Sequence, residues 1–271
     1  MDTEDEAPEE TQELGGPEGP AIIPYINNDV MTREIRNHLA VNTPFERFWT
    51  DDWSPHFYRT QARLGFIAVA AQGPEGRGNV LIPELQREYA VLDWPNLALD
   101  RGVRKILGDR RMERESIRLV IDVDPEPVLG WLVATWGDEV WLVPEYVGLL
   151  KRLASSDEWP GDPGFRMLAT ALVSRDETVA GELGYAVGRA YVSLSGFFRR
   201  ERPEWNHYGK LQMVLLALRL QAAGFAFWNL GHPYMDYKTR LGARIVPRER
   251  FLHRWDAAAD AELPALAANG S

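Results

Sequence analysis

FRMLATALVSRDETVAGELGYAVGRAYVSLSGFF, residues 165–198, decides the fold. Apolar and small residues fill three runs, separated by Arg175-Asp176-Glu177-Thr178 and by a turn around Gly188. Such runs, bounded by turn residues, specify strands, so a three-stranded antiparallel meander is expected. Downstream, GKLQMVLLALRLQAAG (209–224) reads as a helix stopped by Gly224. FAFWNL (225–230) is a further strand, and YKTRLGA (237–243) a short helix leading into ARIVPR. Upstream, ALDRGVRKILGD (98–109) is a basic amphipathic helix and SIRLVIDVD (116–124) a strand. PEPVLGWLVAT opens a helix on Pro125, and VPEYVGLLKRLASS opens another just after Trp141.

The chain before this block is mixed. DVMTREIRNHLA (29–40) suggests a short helix with Asp29 near its cap, and WSPHFYRTQARLG (53–65) a helix capped by Ser54, opened by Pro55 and stopped by Gly65. FIAVAA and NVLIPELQ read as strands. Residues 21–88 are therefore expected to form a small N-terminal α/β domain, with a boundary near residue 89 and a second domain over 89–255. Residues 1–20 hold eight acids and no base, with almost nothing apolar. Such a segment cannot offset its ordering entropy, so a disordered tail is expected, and residues 256–271 are expected to be a flexible tail, with or without a short helical start.

Composition narrows the function classes. The chain of 271 residues is 45% hydrophobic and 11% aromatic, as globular proteins are. It has no Cys, which removes disulfides and thiolate chemistry and suits a reducing cytoplasmic compartment. The longest apolar stretch is broken by Arg219, Gln221 and Gly224, so no membrane span is expected. The acidic N-terminus fits neither a secretory signal nor a transit peptide. The net charge of -10 lies in the two ends, and residues 196–255 carry eleven Lys/Arg against four acids. That excess suits a phosphate backbone, or else is a solvated basic face.

The five His, at 38, 56, 207, 232 and 253, have no ligand spacing, so no metal is expected. Asp122-Val123-Asp124 at a strand end is either a metal ligand pair or a helix cap. There is no nucleophile elbow, phosphate-binding loop or dinucleotide fingerprint. Helices, a meander, a helix and a strand beside the meander make a single α/β (α+β) sheet. This is the order of the acetyltransferase-like fold. Coenzyme-A-binding members of that fold place a Gly-rich turn before the helix after the meander. Here that place reads ERPEWNHYGKLQ, with Gly209 alone.

GELGYAVGRAYVSLSGFFRR, GKLQMVLLALRLQAAGF, FWNLG and YKTRLGARIVPRERFL, with ALDRGVRKIL and EVWLVPEYVGLLKRLA upstream, resemble the leucyl/phenylalanyl-tRNA–protein transferases over residues 89–255. The spelling is that of a divergent branch. The resemblance implies an acetyltransferase-like C-terminal domain that takes an aminoacyl ester from a tRNA and passes it to the amino terminus of an acceptor protein. Aminoacyl-tRNA is then a co-substrate, with no further cofactor, and a monomer is expected. A small-molecule amine as acceptor, or a non-catalytic RNA or peptide binder, are the alternatives. The chain departs from the family at two acids. Leu194 stands where a Glu is usual in the middle strand, and Asn229 where the next strand usually ends on Asp. Glu182 aligns with an apolar residue of the side-chain pocket.

Two readings follow. In one the site is rebuilt: Asn229 addresses the acceptor amine and the ester, Glu182 supplies the carboxylate, and Ser193 or Ser195 donates to the oxyanion. Alternation puts Ser193 and Ser195 on one face with Tyr191 and Phe197, lining a slot beside Leu194. In the other, Asn229 caps its loop through the backbone two residues on, and the serines satisfy one another. Lys210, Arg199, Arg200, Lys238, Arg240 and Arg244 are the candidate tRNA-binding cations, with Tyr237 beside them; surface charge is the plain alternative. Trp141 either stacks on the terminal adenine or packs in the core.

Overall fold

The structure is a computed structural model that describes residues 23–73, 76–137, 141–155 and 164–266. The expected acidic tail lies outside the described residues. The chain enters through helix α1 (Arg33–Asn42) and helix α2 (Pro55–Arg63). Thr32, not Asp29, caps α1, its hydroxyl accepting from the Ile35 N–H at 3.3 Å. Asp29 sits in a separate 3-10 turn. Ser54 caps α2 as its Ser-Pro sequence dictates. Strands β1 (Ile67–Gln72) and β2 (Asn79–Glu84) pair antiparallel as a two-stranded sheet of their own.

Strand β3 (Glu88–Leu92) follows, so the expected boundary near residue 89 falls at the start of a sheet strand. Helices α3 (Arg101–Gly108) and α4 (Arg111–Arg114) lead to strand β4 (Arg118–Ile121). Asp124 then caps α5 (Pro125–Trp136), the capping alternative for the Asp122-Val123-Asp124 stretch, while Asp122 pairs with Arg166. Helix α6 spans Pro144–Ala154. The meander is β5 (Phe165–Ser174), β6 (Glu177–Val187) and β7 (Ala190–Phe198), with both turns where the sequence placed them. Helix α7 (Tyr208–Ala223), stopped by Gly224 at φ 93°, returns the chain to strand β8 (Phe227–Asn229). Helix α8 (Asp236–Arg240), strand β9 (Arg244–Pro247) and helix α9 (Arg248–Ala259) close the fold.

The seven-stranded sheet has the order β4-β5-β6-β7-β8-β3-β9. Every pairing is antiparallel except β7–β8, which are parallel because α7 carries the chain back between them. One apolar layer holds Tyr58, Leu129, Leu149, Tyr185, Phe227, Phe251 and Trp255, drawn from both sides of residue 89. The other packs α3 and α7 on the opposite face through Val103, Leu211, Val214, Leu220, Tyr191 and Trp228.

Helix α9 supplies the short helical start that the segment from residue 256 allowed. It runs to Ala259, burying Trp255, Ala258 and Ala259 at i, i+3 and i+4. Asp256 receives both Arg36 contacts, at 2.8 and 2.7 Å.

The Leu241-Gly242-Ala243 turn has a steric reason. Gly242 sits at φ 107°, and a Cβ there would overlap the Asn96 carbonyl. Gly242→Ala is expected to cost at least the roughly 1–3 kcal/mol of a strained backbone, read as a lowered urea midpoint at unchanged slope.

Candidate active site

The site lies where β7 and β8 part. Ala190, Tyr191 and Val192 pair with Phe227, Trp228 and Asn229. Beyond that point β8 stops, whereas β7 runs on to Phe198. A β-bulge at the same level shifts the β6–β7 register, with Gly184 opposite Ser193 but Leu183 opposite Ser195. Leu194 is the extra residue, and a bulge of this kind reverses the alternation beyond it.

The bulge corrects the expected grouping. Ser193 and Tyr191 share the α7 face with Glu182, whereas Ser195 and Phe197 share the opposite face with Leu183 and Gly181. Leu194 packs against the layer on that opposite face, and the Phe197 ring stacks on Trp131 at 5.9 Å. Trp141 also belongs to that layer, edge-on to Tyr146 at 6.2 Å, and so takes its core alternative rather than a place beside Glu182.

Glu182 is 3% exposed. Its Oε1 accepts from the Tyr191 hydroxyl at 3.0 Å and from the Ser193 hydroxyl at 2.8 Å. The Ser193 oxygen in turn accepts from the Trp228 indole N–H at 2.7 Å. Gly184 makes this possible, because a Cβ there would overlap the Tyr191 hydroxyl. Gln212 on α7 closes the group, donating to Thr170 at 3.1 Å. Burial pushes the Glu182 carboxyl up to about 7, against the pull of hydrogen bonds from Ser193, Tyr191 and Gln212. Tyr237 borders the same space. Burial, then the Glu182 charge, pushes its phenol up to about 12, although part of the ring is exposed.

Asn229 shares a strand face with Phe227, away from Glu182. Its Oδ1 accepts from the Gly231 N–H at 2.9 Å, the loop-capping bond of the second reading.

The expected cations divide. Lys238 is corrected: it is 5% exposed, its ammonium donates to the His232 carbonyl at 2.7 Å, and desolvation lowers it to about 8. Arg199 is held over Trp131 and Trp205, at 5.0 and 4.5 Å, and pairs with Glu177 and Glu201. Lys210 pairs with Asp100 at 2.9 Å, Arg240 with Asp236 at 3.4 Å, and Arg244 donates to Asn96 at 3.2 Å, all from exposed positions. Arg200 lies exposed over Phe198 at 4.6 Å, on a cleft of about 330 Å³ that Trp131 and Trp136 also line. Among the described residues no carboxylate pairs with Arg200, which leaves its guanidinium available to an anion.

One constellation had no signal in the sequence. Glu84, 2% exposed at the end of β2, takes Arg47 Nε on one oxygen at 2.9 Å and His232 Nε2 on the other at 2.5 Å. His232 follows Asn229 by three residues but Glu84 by 148, so no spacing pattern connects them.

No family model matches the chain, and no curated protein matches it. Solved structures that resemble it include L-PGS from Bacillus licheniformis, with 15% identity and a TM-score of 0.38 over 63% of this chain. The chain spans 65% of that protein's length. The C-terminal domain (DUF2156) of a protein named as a lysylphosphatidylglycerol synthetase from Agrobacterium fabrum shows 14% identity and a TM-score of 0.40, over 78% of this chain and 71% of that one. A conserved protein of unknown function from Staphylococcus epidermidis shows 9% and 0.36, over 79% and 74%. Likenesses this distant leave the activity to be read from the chain's own residues.

Proposed function

We propose that this chain is an aminoacyl-tRNA-dependent aminoacyltransferase of acetyltransferase-like fold, forming an amide on an acceptor amine. The observation that carries the reading is Glu182: a carboxyl buried among hydroxyls, ionising near 7, where two parallel strands part. Burying an ionisable group without a cationic partner is costly, and active sites are where such costs are retained.

The geometry suggests a relay. Ser193 donates to Glu182 and accepts from Trp228, which leaves one lone pair on its hydroxyl. An acceptor N–H directed at that lone pair passes its proton to Ser193 as the serine proton moves to Glu182. The amine lone pair meanwhile attacks the ester carbon; the bond from that carbon to the ribose oxygen then breaks, and the proton held by Glu182 is returned to that oxygen, leaving an amide and a free ribose hydroxyl. A base ionising near 7 suits an amine of ordinary pKa close to 8. Holding ester and amine together contributes the larger share, about 7–11 kcal/mol for well-aligned reactants.

An acyl-CoA donor fits less well. Phe198 packs on Gly209 in the first turn of α7, Tyr208 bonds Glu115, and Lys210 is paired. That turn has no bare backbone cradle for a pyrophosphate. The exposed Arg200 and Arg244, which no carboxylate pairs among the described residues, suit a polyanionic donor instead. The acceptor is the amino terminus of a polypeptide in the fuller form of this proposal, with a small-molecule amine as its alternative. The loop-capping role of Asn229 is the one observation that favours a non-catalytic binder.

Incubation with a mixed charged-tRNA pool and peptides bearing a free amino terminus, followed by mass spectrometry, tests this. A ribonuclease-sensitive mass increase on the acceptor is expected, with tRNA affinity falling steeply with salt. Binding of tRNA without any acylated product favours the non-catalytic binder. No binding of charged or deacylated tRNA at about 50 mM salt removes both readings.

A further inference from the structure

We propose that the cleft between the end of α5 and the end of β7 seats one unpaired nucleotide of the donor RNA, its base on Trp136 and its phosphate on Arg200; this deepens the aminoacyl-transfer reading and rests on it. The cleft encloses about 330 Å³, within the range of small-ligand sites. Trp131 and Trp136 come from α5, and Phe197, Phe198, Arg199 and Arg200 from the end of β7 and the residues after it.

One wall is already built. The Trp131 ring takes Phe197, stacked at 5.9 Å, and the Arg199 guanidinium, 5.0 Å from its centre. Arg199 lies in turn on Trp205 at 4.5 Å and pairs with Glu177 and Glu201. Trp136 differs. Its indole N–H donates to the Gly196 carbonyl at 3.0 Å, which anchors the ring by its edge. Among the described residues no aromatic ring stacks on it, so its π face is open to a base. Arg200 is exposed, lies over Phe198 at 4.6 Å and has no carboxylate partner among the described residues. The unpaired charge of the cleft is therefore positive, which disfavours a cationic ligand and suits a phosphate. A flat π surface beside an unpaired guanidinium matches single-stranded RNA, whose bases stack and whose phosphates pair.

The cleft adjoins the Glu182 group through β7 itself. Strand β8 ends at Asn229, opposite Val192, and beyond that point this edge of β7 has no strand neighbour among the described residues. Gly196, whose carbonyl Trp136 holds, stands directly opposite Glu182 in the β6–β7 pair. Gly196 is exposed, and a Cβ built on it would meet only the Gly181 carbonyl oxygen at 3.3 Å and the Glu182 Cβ at 3.9 Å. Bare backbone thus separates the base platform from Glu182, and leaves room for the ribose ester beside the seated nucleotide.

The test uses the full chain, with Trp136→Leu, Trp136→Phe and Arg200→Gln beside wild type, and a labelled single-stranded hexaribonucleotide ending in CCA read by fluorescence anisotropy. Trp136→Leu is expected to weaken binding about 5–150-fold, the range of one stacked base, and Trp136→Phe, which keeps a ring, by clearly less. Both variants lose the bond to Gly196, so a merely structural role would make them alike. Arg200→Gln is expected to reduce the slope of log K against log salt by about 0.7, one phosphate contact on a single strand. In aminoacyl transfer, Trp136→Leu and Arg200→Gln should raise KM for charged tRNA with kcat little changed. If the wild type transfers but does not bind the oligonucleotide, or if both of these variants bind it within threefold of wild type at the same salt slope, the inference is overturned and the transfer reading stands. Adenosine monophosphate or an aromatic peptide that displaces the oligonucleotide at equal concentration overturns RNA as the ligand. A wild type that neither binds charged tRNA nor transfers from it overturns both.

Discussion

Glu182→Gln is expected to lose about 10²–10⁴-fold in aminoacyl transfer while becoming the more stable protein above neutral pH. Both effects have one cause. In the unfolded chain this carboxyl ionises near its ordinary value of 4.5, and in the folded chain near 7. A raised carboxyl contributes stability that is fully present below pH 4.5 and lost as pH rises through 7. The difference corresponds to about 3 kcal/mol at 1.36 kcal/mol per pH unit. Gln keeps the shape and a hydrogen-bonding oxygen but does not titrate. Urea unfolding at pH 5 and pH 8 should therefore show wild type falling by about that amount relative to Glu182→Gln. Parallel behaviour of the two proteins would mean that the carboxyl ionises as freely as an exposed one.

The second large effect concerns the join between α1 and α9. The Arg36 side chain is 1% exposed and the Asp256 side chain 26%. Asp256 also has a second cation, Arg33, at 3.6 Å. Removing the carboxylate therefore strands a buried guanidinium, whose Nε already lacks a partner, whereas removing the guanidinium leaves a carboxylate with water and Arg33 to turn to. Asp256→Ala is expected to destabilise by about 3–5 kcal/mol, and Arg36→Met, which keeps the apolar stem, by clearly less. The double variant should resemble Arg36→Met rather than the sum of the two changes. Thermal or urea unfolding of the four proteins reads this cycle. Equal single-variant costs would place the pair in an environment more open than its burial indicates.

Local rules were legible in the sequence. The meander, α2, α5, α6 and α7 follow from turn residues, Ser-Pro and Asp-Pro caps and the Gly224 stop. Strand β3 was missed because its five residues lie on the assumed domain boundary. Helix α9 was missed over Arg248–Trp255, where charged residues break up the apolar positions, and its Ala-rich end was read as tail although Ala258 and Ala259 continue its buried face.

The site was half legible. Glu182, Ser193, Tyr191 and Tyr237 do gather, but Ser195, Phe197, Leu194 and Trp141 fall on the far side of the sheet. Strict alternation cannot see the bulge that puts Ser195 there. Lys238 has the sequence context of a surface lysine, and only tertiary packing buries it. The Glu84–His232 contact joins a strand end to a loop from a distant part of the chain, with nothing in either segment to announce the other.

The most direct test is the rate of aminoacyl transfer from charged tRNA between pH 5 and pH 8, in wild type and in Glu182→Gln. Wild type should gain activity with a midpoint near pH 7, where the buried carboxyl ionises, and the variant should show a low rate without that rise. A wild-type rate that does not change over this range, or a variant as fast as wild type, would contradict a catalytic Glu182.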